Sequence, residues 1–229
     1  ARLIGAAGRR VIDAPLTEPQ GRYAIDRDPL AATLPADARI VFLCSPHNPG
    51  GRVWLPEELA ALGQFCAERN LVLISDEVWH DLVFPGHEHT VTALACPDIS
   101  DRLVTCAAPS KTFNLAGGHT AEVIIADAEL RARYRKAADA SHGMGTNLFG
   151  MLAAEEAYTS GDAWLEALIG YLGRNRDRFQ AGMAEAVPGA RTMPMESTYL
   201  AWVDFLGTGL SENEVGSRLR DRARIGVNA

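Results

Sequence analysis

Three short segments hold the residues best suited to chemistry: Ser45-Pro46-His47-Asn48-Pro49-Gly50-Gly51, then Ser75-Asp76-Glu77-Val78, then Pro109-Ser110-Lys111-Thr112-Phe113-Asn114. Lys111 offers an amine, which becomes a nucleophile and a proton shuttle once a cleft partly strips it of water. Asp76 offers an anion that holds a proton by charge-assisted pairing, and Asn48 offers a neutral donor. Taken singly, a lysine in a loop is ordinarily a solvated charge, and Asn-Pro-Gly and Asp-Glu are ordinary pieces of turns. What sets the three apart is a shared position, because each lies just after a run of strand-forming apolar residues.

Those runs are Arg39 to Cys44 (RIVFLC), Leu71 to Ser75 (LVLIS) and Leu103 to Cys106 (LVTC), with Glu122 to Ala126 (EVIIA) as a fourth. They are continuous rather than alternating, the pattern of a parallel sheet covered by helices on both faces. Between the first two, Pro56-Glu57-Glu58 opens a helix, since Pro costs nothing at the first helical position and acids suit the positive end of the dipole. Leu59, Leu62, Phe65 and Cys66 make its buried stripe. The fold class is therefore α/β, a mainly parallel sheet with covering helices. In such sheets ligands bind outside the carboxyl ends of the strands, so Asn48, Asp76 and Lys111 are expected at one edge.

From Thr146 the pattern turns helical, with Leu148, Met151, Leu152 and Ala157 in one segment and Trp164, Leu168, Tyr171, Leu172 and Phe179 in a longer one. Pro188-Gly189 ends that run. An alternating strand from Tyr199 to Phe205 follows, then a helix whose start, Ser211-Glu212-Asn213-Glu214, has capping-box form. These pieces read as part of a smaller α+β carboxy-terminal domain. The division expected is 1–158 and 159–229.

The 229 residues are enough to bury a substantial core. A net charge of -7, with its charges scattered singly, gives no basic stripe and argues against nucleic acid as a partner. No apolar run approaches the roughly 20 residues needed to span a bilayer, so no membrane partner is expected. Cys44, Cys66, Cys96 and Cys106 show no close-paired spacing, which argues against zinc or a disulfide framework. They read as buried reduced thiols, and Ala1 to Arg10 lacks the apolar core of a signal peptide; both point to the cytoplasm. His80, His87 and His89 with Glu88 lie on a loop without a helical i, i+4 pair and read as solvated, so no metal is expected. The Lys111 segment lacks the glycines of a nucleotide-binding loop.

Taken together, in order and spacing, the three segments resemble the fold-type I pyridoxal-phosphate enzymes. The likeness is closest to carbon-sulfur lyases of the cystathionine β-lyase kind, which share the class I and II aminotransferase fold. It runs over nearly the whole chain, including Thr198-Tyr199-Leu200-Ala201-Trp202. The resemblance implies pyridoxal 5'-phosphate as cofactor, held by Lys111 as an imine, with Asp76 keeping the ring nitrogen protonated and Asn48 bonding the phenolic oxygen. Val78, two residues beyond Asp76 on an extended chain, would pack on the ring from the same side. Ser110 would bond the phosphate.

The implied substrate is a small amino acid, the implied assembly a homodimer, and the implied reaction carbon-sulfur β-elimination from cystathionine or a related cysteine S-conjugate. An aminotransferase is the alternative that the same motifs allow. From a different class, the chain could be a catalytically silent structural or interaction module. Many aminotransferases carry tyrosine three residues after the aspartate and arginine eight residues after the lysine, where this chain has Trp79 and His119. Both departures point to the lyase branch. Relatives extend beyond both ends, so the chain is expected to hold only part of the large domain and to belong to a longer protein.

Overall fold

The computed structural model describes residues 2–141, 145 and 147–227. Two short helices, α1 (Arg2–Ala6) and α2 (Arg27–Thr33), precede strand β1 (Ile40–Cys44). Next come α3 (Pro56–Glu68), β2 (Val72–Asp76), the one-turn α4 (Thr92–Ala95), β3 (Leu103–Ala107) and β4 (Glu122–Ile124). Helices α5 (Ala128–Ala140), α6 (Leu148–Ser160) and the 25-residue α7 (Asp162–Ala186) follow. A small antiparallel ribbon, β5 (Arg191–Thr192) and β6 (Val203–Asp204), leads to α8 (Glu212–Ser217). The helical onset expected at Thr146 lies outside the described residues; α6 starts at Leu148, where the Asn147 side chain accepts from the Phe149 N–H.

The main sheet has the order β1-β2-β3-β4, with the first three strands parallel. β4 runs antiparallel to β3. The link between them contains only a three-residue 3-10 turn, and without a crossover helix the chain returns alongside the strand it left. Leu59, Leu62, Phe65 and Cys66 of α3 do form the buried stripe, packed with Leu43, Leu71, Leu73, Cys96, Ile99 and Leu103. Trp54 joins this core and satisfies its indole by donating Nε1–H to the Cys44 carbonyl, 2.8 Å away.

Cover on both faces is only partial among the described residues: Leu103, Val104 and Thr105 of β3 are all buried, but β1 is not covered to the same extent. Strands laid down in sequential order with right-handed crossovers put their connecting helices on one side, and α3 and α4 pack together there. The other face leaves Ile40 50% and Phe42 59% exposed. Continuous apolar strands thus mark two faces that favour burial, while the described residues cover one face fully and the other only in part. The alternating run Tyr199 to Phe205 also yields only the short β6. Its approach is engaged elsewhere: the Thr198 N–H donates to the Leu82 carbonyl, the Leu200 N–H to the Thr198 hydroxyl, and Thr198 itself has φ of +67°. The capping box forms as read, Ser211 and Glu214 each accepting from the other's backbone N–H. Of the four free cysteines only Cys66 and Cys96 are buried; Cys44 and Cys106, near the end of their strands, are half-buried.

Helix α6 meets the β3–β4 link where Gly150 lies against Gly118. A Cβ on Gly150 would overlap the Gly118 carbonyl oxygen and the Thr120 hydroxyl. Gly150→Ala is therefore expected to cost about 1–3 kcal/mol, the usual range for overpacking. Urea unfolding should show it as a lower midpoint at unchanged slope. An unchanged midpoint would mean that this contact does not hold the helix.

Candidate active site

Cys44, Asp76 and Cys106 are in register across the three parallel strands, so these strands end side by side, roughly 4.8 Å apart. Asn48 lies four residues beyond Cys44 and Lys111 five beyond Cys106, which brings both to the edge where Asp76 ends β2. Asp76 is half-buried and accepts from the Val78 N–H at 3.3 Å. No cation pairs with it among the described residues. Burial, reinforced by the charge of Asp76, pushes the Cys44 thiol up to about 11 and raises Cys106 as well. Both flanking thiols therefore stay neutral at neutral pH. Cys44 also shapes the loop beyond it: Sγ donates to the Pro46 carbonyl at 3.2 Å and accepts from the Asn48 N–H at 3.4 Å. The Asn48 residue that follows is exposed.

Lys111 is half-buried in a turn that follows the buried Ala108 and Pro109. Backbone bonds from Phe113 to Pro109 and from Leu115 to Ser110 tie that turn. Its Nζ stands 5.6 Å from the centroid of the Trp79 ring, within the range of cation–π attraction. Trp79 is 3% exposed and meets Tyr199 edge-on at 4.7 Å between centroids. Among the described residues no carboxylate pairs with Lys111. Val78 and Ser110, both half-buried, adjoin this edge through their neighbours Asp76 and Lys111. All five sequence-derived residues therefore belong to one end of the sheet. His119 is exposed in a left-handed turn with φ of +48° and forms no hydrogen bond to any of the five among the described residues.

Two polar clusters behind this edge were not read from the sequence. Glu77 points away from Asp76 into the interior. Its Oε1 accepts from the Ser75 hydroxyl at 2.9 Å and the Thr92 N–H at 3.1 Å, and its Oε2 lies 2.9 Å from His89 Nε2. His89 is therefore half-buried with its side chain bonded rather than solvated, and His80 is likewise held, with Nδ1 2.7 Å from the Glu77 carbonyl oxygen. His87 and Glu88 are exposed. Burial pushes the Glu77 carboxyl up, but the bonds from His89 and Thr92 outweigh it and hold the group below its ordinary value of 4.5.

The second cluster is ionic. Arg52 is 3% and Glu196 4% exposed. Glu196 takes Arg22 Nε at 2.6 Å on one oxygen, and Arg52 at 3.4 Å with the Val53 N–H at 2.8 Å on the other. Arg52 also reaches Glu58 at 2.6 Å, at the start of α3. Each charge has a partner, so the loop from Asn48 to Arg52 is clamped between the amino-terminal segment and residues 194–198. Among the described residues, no group of three or more His, Cys, Asp or Glu side chains could hold a metal ion. No helix among them is long and apolar enough to cross a membrane.

A family model described as aminotransferase class I and II matches residues 1–229. The chain is 39% identical over 224 residues to cystathionine β-lyase PatB of Bacillus subtilis (strain 168), covering 97% of this chain and 58% of that protein. Cystalysin from Treponema denticola, whose crystal structure contains a pyridoxal 5'-phosphate cofactor, superimposes with a TM-score of 0.93 at 32% identity, over 98% of this chain and 57% of that one. N-succinyldiaminopimelate aminotransferase from Mycobacterium tuberculosis gives 0.86 at 30% identity, over 98% and 57%. The chain thus spans a little under three fifths of the length of each.

The Glu77 cluster gives a pH-dependent expectation. A carboxyl held below 4.5 in the folded state contributes stability that is complete above that pH and is lost as pH falls through the folded value. At pH 7, Glu77→Gln should cost about 1–3 kcal/mol. The gap between the two proteins should close on acidification below the ordinary carboxylate range, followed by urea unfolding at stepped pH. A gap that stays constant with pH would show that the ionised carboxylate is not what these donors stabilise.

Proposed function

The chain belongs to the aminotransferase class I and II family, whose members are pyridoxal-phosphate-dependent, and from that premise we propose that the whole protein is a carbon-sulfur β-lyase acting on cystathionine or a related cysteine S-conjugate. The observation that carries the reading is the Lys111 amine, set 5.6 Å from the centroid of Trp79 after a strand that ends in register with Asp76, a carboxylate with no cation partner among the described residues. The 39% identity to a cystathionine β-lyase supports the reaction type. So does Trp79, a donor without an acceptor where many aminotransferases carry tyrosine. We further propose a homodimer in the cytoplasm, with residues 1–158 as part of the cofactor-binding domain and 159–229 as connecting helix and partial carboxy-terminal domain.

The donor set suits this cofactor: an amine, a carboxylate, an exposed amide and a hydroxyl at one strand edge, with neutral thiols beside the carboxylate. When bound, pyridoxal phosphate supplies an electron sink for negative charge at the α-carbon of the substrate. Lys111 would anchor it through Nζ, and its amine, when free, would take the α-proton of the substrate. Asp76 holds a proton on the ring nitrogen; no neighbouring cation among the described residues competes for its charge. Asn48 donates its side-chain amide to the phenolic oxygen without neutralising the anchor. Val78 would pack against the ring and Ser110 would donate its hydroxyl to the phosphate. Loss of the α-proton and scission of the bond from the β-carbon to sulfur would release the sulfur as a thiol once it takes up a proton, and water would hydrolyse the enamine left behind to pyruvate and ammonia.

Two outcomes test this. Lys111→Ala in the full-length protein should lose the visible absorbance of the attached cofactor while keeping the wild-type far-ultraviolet dichroism; retained absorbance removes Lys111 from the site. With cystathionine and no keto acid, the wild-type protein should release pyruvate, ammonia and thiol over many turnovers. Turnover that appears only on adding a keto acid, with an amino acid formed in equal amount, would make the protein an aminotransferase instead.

A further inference from the structure

We propose that Asp81, acting through the hydroxyl of Thr112, is a positioning residue for Lys111; the inference rests on Lys111 being the cofactor anchor. An anchoring amine must keep a fixed place relative to Asp76, which sits on a different strand. Lys111 itself does little to ensure this. Among the described residues its Nζ has no hydrogen bond or ion pair, and its one close polar interaction is with the Trp79 face. Its placement therefore depends on the backbone beside it.

The next residue supplies the hold. Thr112 is fully buried, and its hydroxyl donates to Asp81 Oδ2 at 3.0 Å. Asp81 follows Asp76 by five residues, in the segment that also carries Trp79. The chain from Asp76 to Asp81, the bond to Thr112, Lys111, and the contact back to Trp79 make a closed circuit that fixes amine and carboxylate in one frame. The other end of Thr112 is restrained too, its carbonyl lying 3.4 Å from Trp164 Nε1 of α7.

Asp81 is itself held from the strand side. Its Oδ2 lies 3.3 Å from His80 Nε2, and His80 Nδ1 lies 2.7 Å from the Glu77 carbonyl. No arginine or lysine pairs with Asp81 among the described residues. Its charge is thus left to strengthen the bond from a fully buried hydroxyl, an arrangement about twice as strong as a neutral one.

The test uses the full-length protein, stripped of cofactor and titrated with pyridoxal phosphate. Borohydride reduction followed by peptide mass measurement gives the fraction of Lys111 modified at each concentration. Thr112→Val keeps shape and burial but removes the donor, and should raise the half-saturating concentration about tenfold, the effect of one hydrogen bond to a charged group. Thr112→Ser, which keeps the hydroxyl, should restore the wild-type curve. Asp81→Ala, at a half-exposed position where truncation leaves the core intact, should match Thr112→Val, and combining the two should add nothing. Near-ultraviolet dichroism identifies folded variants. A wild-type curve for Asp81→Ala or Thr112→Val, or a Thr112→Ser curve shifted as far as that of Thr112→Val, overturns the positioning role and leaves the anchor standing. Wild-type protein that takes no label at Lys111 overturns both.

Discussion

A carboxylate taken out of water must find cations inside the protein or give up its charge, and Glu196 meets that demand with Arg22 from near the amino terminus and Arg52 from the loop after β1. Because all three are drawn together, the segments that carry them have little choice of position. Asn48 sits on the clamped loop. Ser197, on the other side, pairs with Val83, and Thr198 bonds Leu82, so Tyr199 arrives against Trp79. Trp79 in turn underlies Lys111. The reactive edge is thus assembled by an ion cluster that does not touch it, and removing one member would leave its partner charged and buried, at a cost of about 3–5 kcal/mol.

How much of this was legible depends on the range of the interaction. The strands, the α3 stripe and the Ser211 capping box are local patterns, visible in a few consecutive residues, and the structure has them. The alignment of the strand ends that Asn48, Asp76 and Lys111 follow was legible too, because strand ends in a parallel sheet share an edge whatever separates them in sequence. Helix α5 was not: AELRARYRKAADA buries no residue and has no apolar stripe to read. Arg52 and Glu196 are 144 positions apart, and nothing local marks either as buried. His89 looked like a loop histidine because its partner, Glu77, lies on a strand end 12 residues away. The open part of the second sheet face among the described residues was hidden as well, since an apolar strand records that its face favours burial and not what provides it.

The pairing of Asp76 with Glu77 carries a consequence for how faithfully the edge is built. They are adjacent and carry the same charge, and only the alternation of an extended chain sends one to the edge and the other inward. Misalignment of β2 by a single residue would exchange them, and a tally of charges at the edge would not detect the mistake. The interior position does detect it, because Ser75, Thr92 and His89 converge on the Glu77 carboxylate at 2.9, 3.1 and 2.9 Å, distances that a side chain one methylene shorter does not reach. Glu77 therefore works as a proofreader of strand alignment. The fidelity of the half-buried aspartate at the edge is secured by a glutamate on the opposite side of the same chain.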